Sequence, residues 1–178
     1  MSPLVGAGDL VAAARGLAAD VAEFASFRKA AQPATAPLVD DDYLAEYDRR
    51  IQDPDLRVAT RSRFVAEHYA DAVEAGVKAL NECIRSRTGL TEDGDGLMTA
   101  AFSPKAPLLR INAGRSRSDE SEQRGHMMLC QGVVGAWRNP RAHKLLSDSP
   151  ARTLMMLATV ESLITTTKEA TRTRKRTK

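Results

Sequence analysis

The chain is short of several residue types, and each shortage narrows what it can be. It has only two cysteines, Cys83 and Cys130. Both fall inside helical patterns and read as buried thiols of a reducing compartment, not as a disulfide framework. Aromatic residues make up 4% of the 178 positions, which leaves the core to Leu, Val, Ala, Ile and Met. No apolar run approaches the roughly 20 residues of a membrane-spanning helix, so no membrane association is expected. The opening MSPLVGAGDL lacks a charged start followed by an apolar block. A secretory leader is therefore not expected, and a cytoplasmic location is. The three histidines, His68, His126 and His143, are scattered, and neither CxxC nor HExxH spacing occurs. No metal site and no cofactor are expected on that pattern. A Gly-rich phosphate loop and a GxSxG elbow are also missing, and a thiol nucleophile is not expected.

Charge is scarce in net terms but unevenly placed. The formal net charge is +3. From Lys168 onward six basic residues face one acid, Glu169, a net +5 that leaves −2 for the body. The basic signal is thus a C-terminal tail, residues 169–178. It reads either as a solvated, frayed end or as a phosphate-binding extension.

What the chain does have is helical periodicity. Leu10 to Lys29 repeats apolar residues every three or four positions, and the proline-bearing Ala31–Pro37 segment reads as a linker. Residues 1–55 are expected to form an N-terminal helical arm, with a short helix over Asp40–Ile51. Asp53-Pro54 has the form of an N-cap followed by proline at the first helical position. The clearest helix is expected from Arg61 to Arg87. Its apolar stripe is Val65, Tyr69, Ala72, Val73, Gly76, Val77, Leu80 and Ile84. Its polar stripe is Glu67, Asp71, Glu74, Lys78, Asn81 and Arg85. Gly89 to Arg117 is irregular, with a helical turn near Leu97–Phe102 and a Leu108–Ile111 stretch compatible with extended structure.

A further helix is expected from Ser116–Glu122 to about Arg138. Met127, Cys130, Val133, Val134 and Trp137 mark its buried side, with Arg124, Gln131 and Arg138 on one face. Gly125, Gly132 and Gly135 weaken this helix in isolation and suggest the close approach of another backbone. Asp148-Ser149-Pro150 opens a last helix running to roughly Lys168. No convincing strand pattern occurs. The expected fold is an all-α bundle over residues 56–168.

The stretch Arg138-Asn139-Pro140-Arg141-Ala142-His143 carries the chemistry. Arg can bind a phosphate through two parallel hydrogen bonds, and His can move protons near neutral pH. A continuous helix would place residues five apart roughly 140° from each other around the axis. Proline disfavours a helical residue before it, so a break after Arg138 is expected to bring the two side chains together.

The Arg138–His143 spacing and its setting resemble the Rx4–6H motif of the HEPN superfamily, and the wording RNPRAH resembles its Ymh-type branch. The other matching stretches are Glu122-Gln123-Arg124-Gly125, His68-Tyr69-Ala70-Asp71-Ala72-Val73 and Ala101-Phe102-Ser103-Pro104. The resemblance spans about residues 60–168. It implies an all-α HEPN-like bundle and a metal-independent endoribonuclease whose two protomers line one cleft. Arg138 would bind the scissile phosphate and stabilise its transition state. His143 would serve as general base or acid for attack by the RNA 2′-hydroxyl. Asn139 would orient His143 or contact phosphate. Between them, Arg141 reads as a phosphate contact or a surface salt bridge. Implied partners are RNA, a second copy of the chain in a dimer or higher homo-oligomer, and an antitoxin or other defence-system protein, because related families act in phage defence or as toxins.

The competing expectation is a non-catalytic module of the same shape that holds RNA, a nucleotide or a protein. In that case Arg138 caps its helix and His143 is a turn residue. Trp137 reads as a core anchor or a base-stacking platform, His126 as structural or interfacial, and Glu74 and Lys78 as solvated or cleft-facing.

Overall fold

A computed structural model describes residues 40–144 and 146–173. The helix expected over Leu10–Lys29 and the linker Ala31–Pro37 lie outside the described residues, which belong to one compact unit, Val39–Lys178. The fold of that unit is all-α. Its elements are α1 (Asp40–Arg50), α2 (Pro54–Val65), α3 (Tyr69–Thr88), α4 (Gly94–Phe102), β1 (Leu109–Arg110), α5 (Arg117–Val133), a π-helical turn (Val134–Arg138), α6 (Asn139–His143), α7 (Pro150–Glu169) and β2 (Thr171–Arg172). Among the described residues no helix is long and apolar enough to cross a membrane.

Helix starts follow the local chemistry. The Asp53 carboxylate accepts hydrogen bonds from the Asp55 and Leu56 backbone N–H groups at 3.1 Å each, with Pro54 in the first turn of α2. Ser116 caps α5 through the Asp119 N–H, and Ser149 caps α7 through the Arg152 N–H.

The single helix expected over Arg61–Arg87 is instead two. The chain leaves α2 at Ala66 and turns through Glu67, whose φ is +59°. The Glu67 N–H bonds the Phe64 carbonyl and the His68 N–H bonds the Arg63 carbonyl, the paired bonding of a Schellman ending. Glycine is the usual residue at that position. Here a glutamate holds it, so the break left no mark in the sequence. Val65, expected on the buried stripe, is 51% exposed as a result.

Helix α3 lies at the centre. It packs against α2 and α7, with α4, the π-turn and α6 on further sides. Gly76 is where a side chain of a neighbouring helix comes close: a Cβ there would sit 2.7 Å from Leu157 Cδ2 of α7. Residues 40–51, expected as part of an arm, belong to the core. Tyr47 and Ile51 are fully buried, and the Tyr47 hydroxyl hydrogen-bonds Thr60 Oγ1 at 2.7 Å.

The expected basic tail is also partly docked. Lys168 Nζ reaches Asp53 Oδ2 at 2.6 Å and Asp55 Oδ2 at 2.9 Å. Thr171–Arg172 pairs antiparallel with Leu109–Arg110, the one small sheet among the described residues. The extended Leu108–Ile111 stretch thus finds its partner in the segment that follows α7. Residues 174–178 lie outside the described residues. Buried Gln123 of α5 ties the irregular segment down: its amide N–H groups donate to the Phe102 and Leu109 carbonyls, and its Oε1 accepts from the Ile111 N–H.

Candidate functional site

The break expected after Arg138 is replaced by a π-turn. Arg138 (φ −73°, ψ −51°) and Asn139 (φ −61°, ψ −45°) both stay helical. The Asn139 N–H reaches back five residues to the Val134 carbonyl. Pro140 has no N–H to donate, and its ring would crowd the carbonyl four residues earlier in a regular helix. The wider π-turn accommodates it without ending the helix, and π-turns of this kind recur at functional sites.

The turn divides the four motif residues. Arg138 Nη2 donates to Asp93 Oδ2 at 3.0 Å, while Nη1 makes only a long 3.5 Å contact with Asn139 Oδ1. Arg138 Nε is buried with no hydrogen-bond partner among the described residues. Asp93 precedes α4 and also accepts from Asn81 Nδ2 at 2.6 Å and from Arg85 Nη1 at 3.4 Å. Burial works to raise the Asp93 pKa, but the Gly94 backbone N–H, Arg138, Arg85 and Asn81 together outweigh it and hold it below its usual value. Two arginines and a buried amide therefore converge on one carboxylate that is still 46% exposed.

His143 ends α6 with an exposed ring and no polar partner among the described residues. Asn139 is exposed as well. Within one chain Arg138 and His143 share no hydrogen bond; Arg138 is engaged with Asp93 and His143 is exposed.

Arg141 has a different setting from the phosphate contact or surface salt bridge expected of it. Its side chain is 3% exposed and pairs with Asp148, itself 2% exposed. Nε meets Asp148 Oδ2 at 2.8 Å, Nη1 meets the Trp137 carbonyl at 2.8 Å, and Nη2 also contacts Met156 Sδ. This guanidinium is spent inside the protein, pinning α6 to the start of α7. Trp137 is half-buried against the core, in line with an anchor role.

Arg138 and Leu146–Asp148 lie at opposite ends of α3. Arg138 shares Asp93 with Asn81, and Leu146–Asp148 lines a cleft of about 430 Å³ with Glu67–Asp71. Glu74 and Lys78 lie between these ends on α3 and form an ion pair at 2.7 Å. The shared face of Arg124, Gln131 and Arg138 holds for the last two, which lean on α4 and its N-cap: Gln131 Nε2 donates to Thr99 Oγ1 at 3.1 Å, as Arg138 does to Asp93.

Gly125 and Gly132 of α5 and Gly135 of the π-turn receive no backbone from the described residues. Among the described residues no atom lies within 4 Å of a Cβ built at Gly125, Gly132 or Gly135. On the same side of the helix, Met128 and Leu129 are 59% and 58% exposed. The π-turn and Arg138 follow directly from this open apolar face.

Sequence reasoning missed three participants. Asp93 was not singled out as the partner of Arg138, nor Arg85 as a second cation on the same carboxylate, because Arg138 lies far in sequence from both. The third is the His126–Cys130 pair, whose four-residue spacing was a readable signal. Their Nε2 and Sγ lie 3.6 Å apart in the interior, and His126 packs edge-on against Phe102. Burial pushes the Cys130 thiol up to about 12 and the His126 imidazole down. That is the environment of an inert thiol. Among the described residues no group of three or more His, Cys, Asp or Glu is placed to hold a metal ion.

No curated protein and no solved structure matches the chain. The profile of one family, described as Protein of unknown function (Hypoth_ymh), matches residues 50–166. That match takes in the core helices, the π-turn and the Arg138–His143 stretch, and the chain belongs to the Hypoth_ymh family.

Proposed function

We propose that the protein is a metal-independent endoribonuclease of the HEPN type, working in the cytoplasm as a homodimer or higher homo-oligomer and serving as a toxin or anti-phage effector. The observation that carries this reading is a surface arginine with an incompletely used fork, followed five residues later by an unpartnered histidine, at the end of a helix whose apolar face is open. The resemblance of RNPRAH to the Rx4–6H motif supplies the reaction class. The open face of Gly125, Met128, Leu129, Gly132 and Gly135 favours a second copy, since large exposed apolar side chains beside glycines suit close helix packing.

In this reading Arg138 holds a scissile phosphate through a two-pronged guanidinium contact and stabilises the charge that grows on its oxygens. His143 takes the proton of the 2′-hydroxyl as its oxygen attacks phosphorus. The bond to the 5′-oxygen breaks, and that oxygen receives a proton from an acid, for which His143 of the second copy is the available group. The products are a 2′,3′-cyclic phosphate and a 5′-hydroxyl. Asn139 contacts the phosphate or orients His143. The buried Arg141 supports the motif from below.

The test is cleavage of a labelled RNA in EDTA, with end-group analysis of the products. Light scattering on wild type and Leu129→Glu tests the dimer: the variant is expected to be monomeric and inactive. RNA that is bound but never cut, with Arg138→Ala weakening the binding, would favour the binding-module alternative.

A further inference from the structure

We infer that Asp93 is an internal stand-in for the RNA phosphate: it occupies a two-arginine anion site, formed by Arg138 and Arg85, which the substrate takes over by displacing it. The inference rests on the nucleic-acid reading of Arg138 and adds to it a regulated phosphate site and a second cation, Arg85.

Three features of the cluster lead to this. The first is convergence. Arg138, Arg85 and the Asn81 amide all donate to one carboxylate, at 3.0, 3.4 and 2.6 Å. Arg85 is held in place from behind by Glu82 Oε2 and the Glu92 carbonyl. An anion in that position is what this donor set selects.

The second is that Asp93 fills the site incompletely. It takes one N–H of the Arg138 fork, and the buried Nε has no acceptor among the described residues. Buried polar groups left unmatched cost free energy. A phosphate with two free oxygens can engage both prongs of the guanidinium, which Asp93 does not.

The third is that Asp93 is able to leave. Its side chain is 46% exposed. The segment that carries it is bounded by Gly89 (φ +75°) and Gly94 (φ +58°), and glycine adopts and exchanges such backbone states at little steric cost. With the carboxylate swung out, two guanidinium groups face the site, and a phosphodiester restores the balance of charge.

The experiment is fluorescence anisotropy at low salt, using a labelled 2′-O-methyl RNA oligomer that cannot undergo 2′-hydroxyl attack. Asp93→Asn is expected to bind about two- to fivefold more tightly than wild type, the range set by the worth of a partly exposed ion pair. Asp95→Asn removes a nearby exposed charge and measures the general electrostatic effect. Arg85→Ala and Arg138→Ala are expected to bind more weakly, and Asp93→Asn added to Arg138→Ala is expected to change binding no more than Asp95→Asn does. Tightening by Asp93→Asn no greater than by Asp95→Asn, weaker binding, or equal tightening without Arg138 overturns the inference while leaving the nucleic-acid reading intact. If neither wild type nor Asp93→Asn binds the oligomer, the nucleic-acid reading fails and the inference falls with it.

Discussion

Arg138 and Arg141 sit three residues apart on one helical stretch, and each is paired with an aspartate. Asp93 and Asp148 differ in where they lie. Asp148 is 2% exposed and shares the interior with an arginine side chain 3% exposed. Asp93 is 46% exposed and opposes an arginine side chain 25% exposed. Burial turns the first pair into a structural bolt, because neither charge has water to fall back on. Partial exposure leaves the second pair exchangeable. Two arginines of one motif thus divide the work: one fixes the π-turn and α6, and the other presents a cation at the surface.

The comparison breaks most visibly at the buried pair. Asp148→Ala leaves the buried Arg141 without its carboxylate and is expected to cost about 3–5 kcal/mol in urea unfolding, while Arg141→Ala leaves Asp148 the exposed Arg152 at 3.6 Å and is expected to cost less. The double change Arg141→Met with Asp148→Leu is expected to recover most of that loss. Arg138→Ala removes a partly exposed pair and is expected to shift stability by no more than about 1 kcal/mol by the same method. A loss at Arg138 as large as at Arg141 would erase the distinction.

Acid provides a smaller test. The Asp93 carboxyl is held below its ordinary value, so its contribution is present above the unfolded pKa near 3.8 and is lost as pH falls through the lower folded pKa. Its carboxyl resonance, followed by NMR, is expected to titrate below that of exposed aspartates, and Arg138→Ala is expected to move it upward.

The two cysteines repeat the contrast between inside and edge. Cys130 is buried with its thiol pushed up to about 12, while Cys83 is half-buried, its thiol also raised by burial. At pH 8 a thiol reagent is expected to label Cys83 slowly and to reach Cys130 only on unfolding.

Much of the fold was legible because caps and apolar spacing are local signals. Asp53-Pro54, Ser116 and Ser149-Pro150 start their helices where the sequence placed them. The division between α2 and α3 was hidden because Glu67 takes a left-handed turn that glycine usually marks. The π-turn was hidden because Asn139-Pro140 reads as a stop, and only the five-residue bond to Val134 shows the helix absorbing it. The motif itself could be read from the sequence, but the different settings of its two arginines could not. Asp148 follows Arg141 by seven residues and Asp93 precedes Arg138 by forty-five. Which aspartate is buried depends on tertiary packing, which no local pattern encodes.

The central claim is that Arg138 and His143 act on RNA. It is tested most directly by cleavage rates in EDTA for wild type, Arg138→Ala and His143→Ala, each first shown to be folded by its urea midpoint, with a 2′-deoxy oligonucleotide as control. Wild type is expected to cleave to a 2′,3′-cyclic phosphate and to leave the deoxy control uncut, with a loss of about 100-fold or more in each variant. Equal cleavage by all three proteins, or none by wild type, would contradict it.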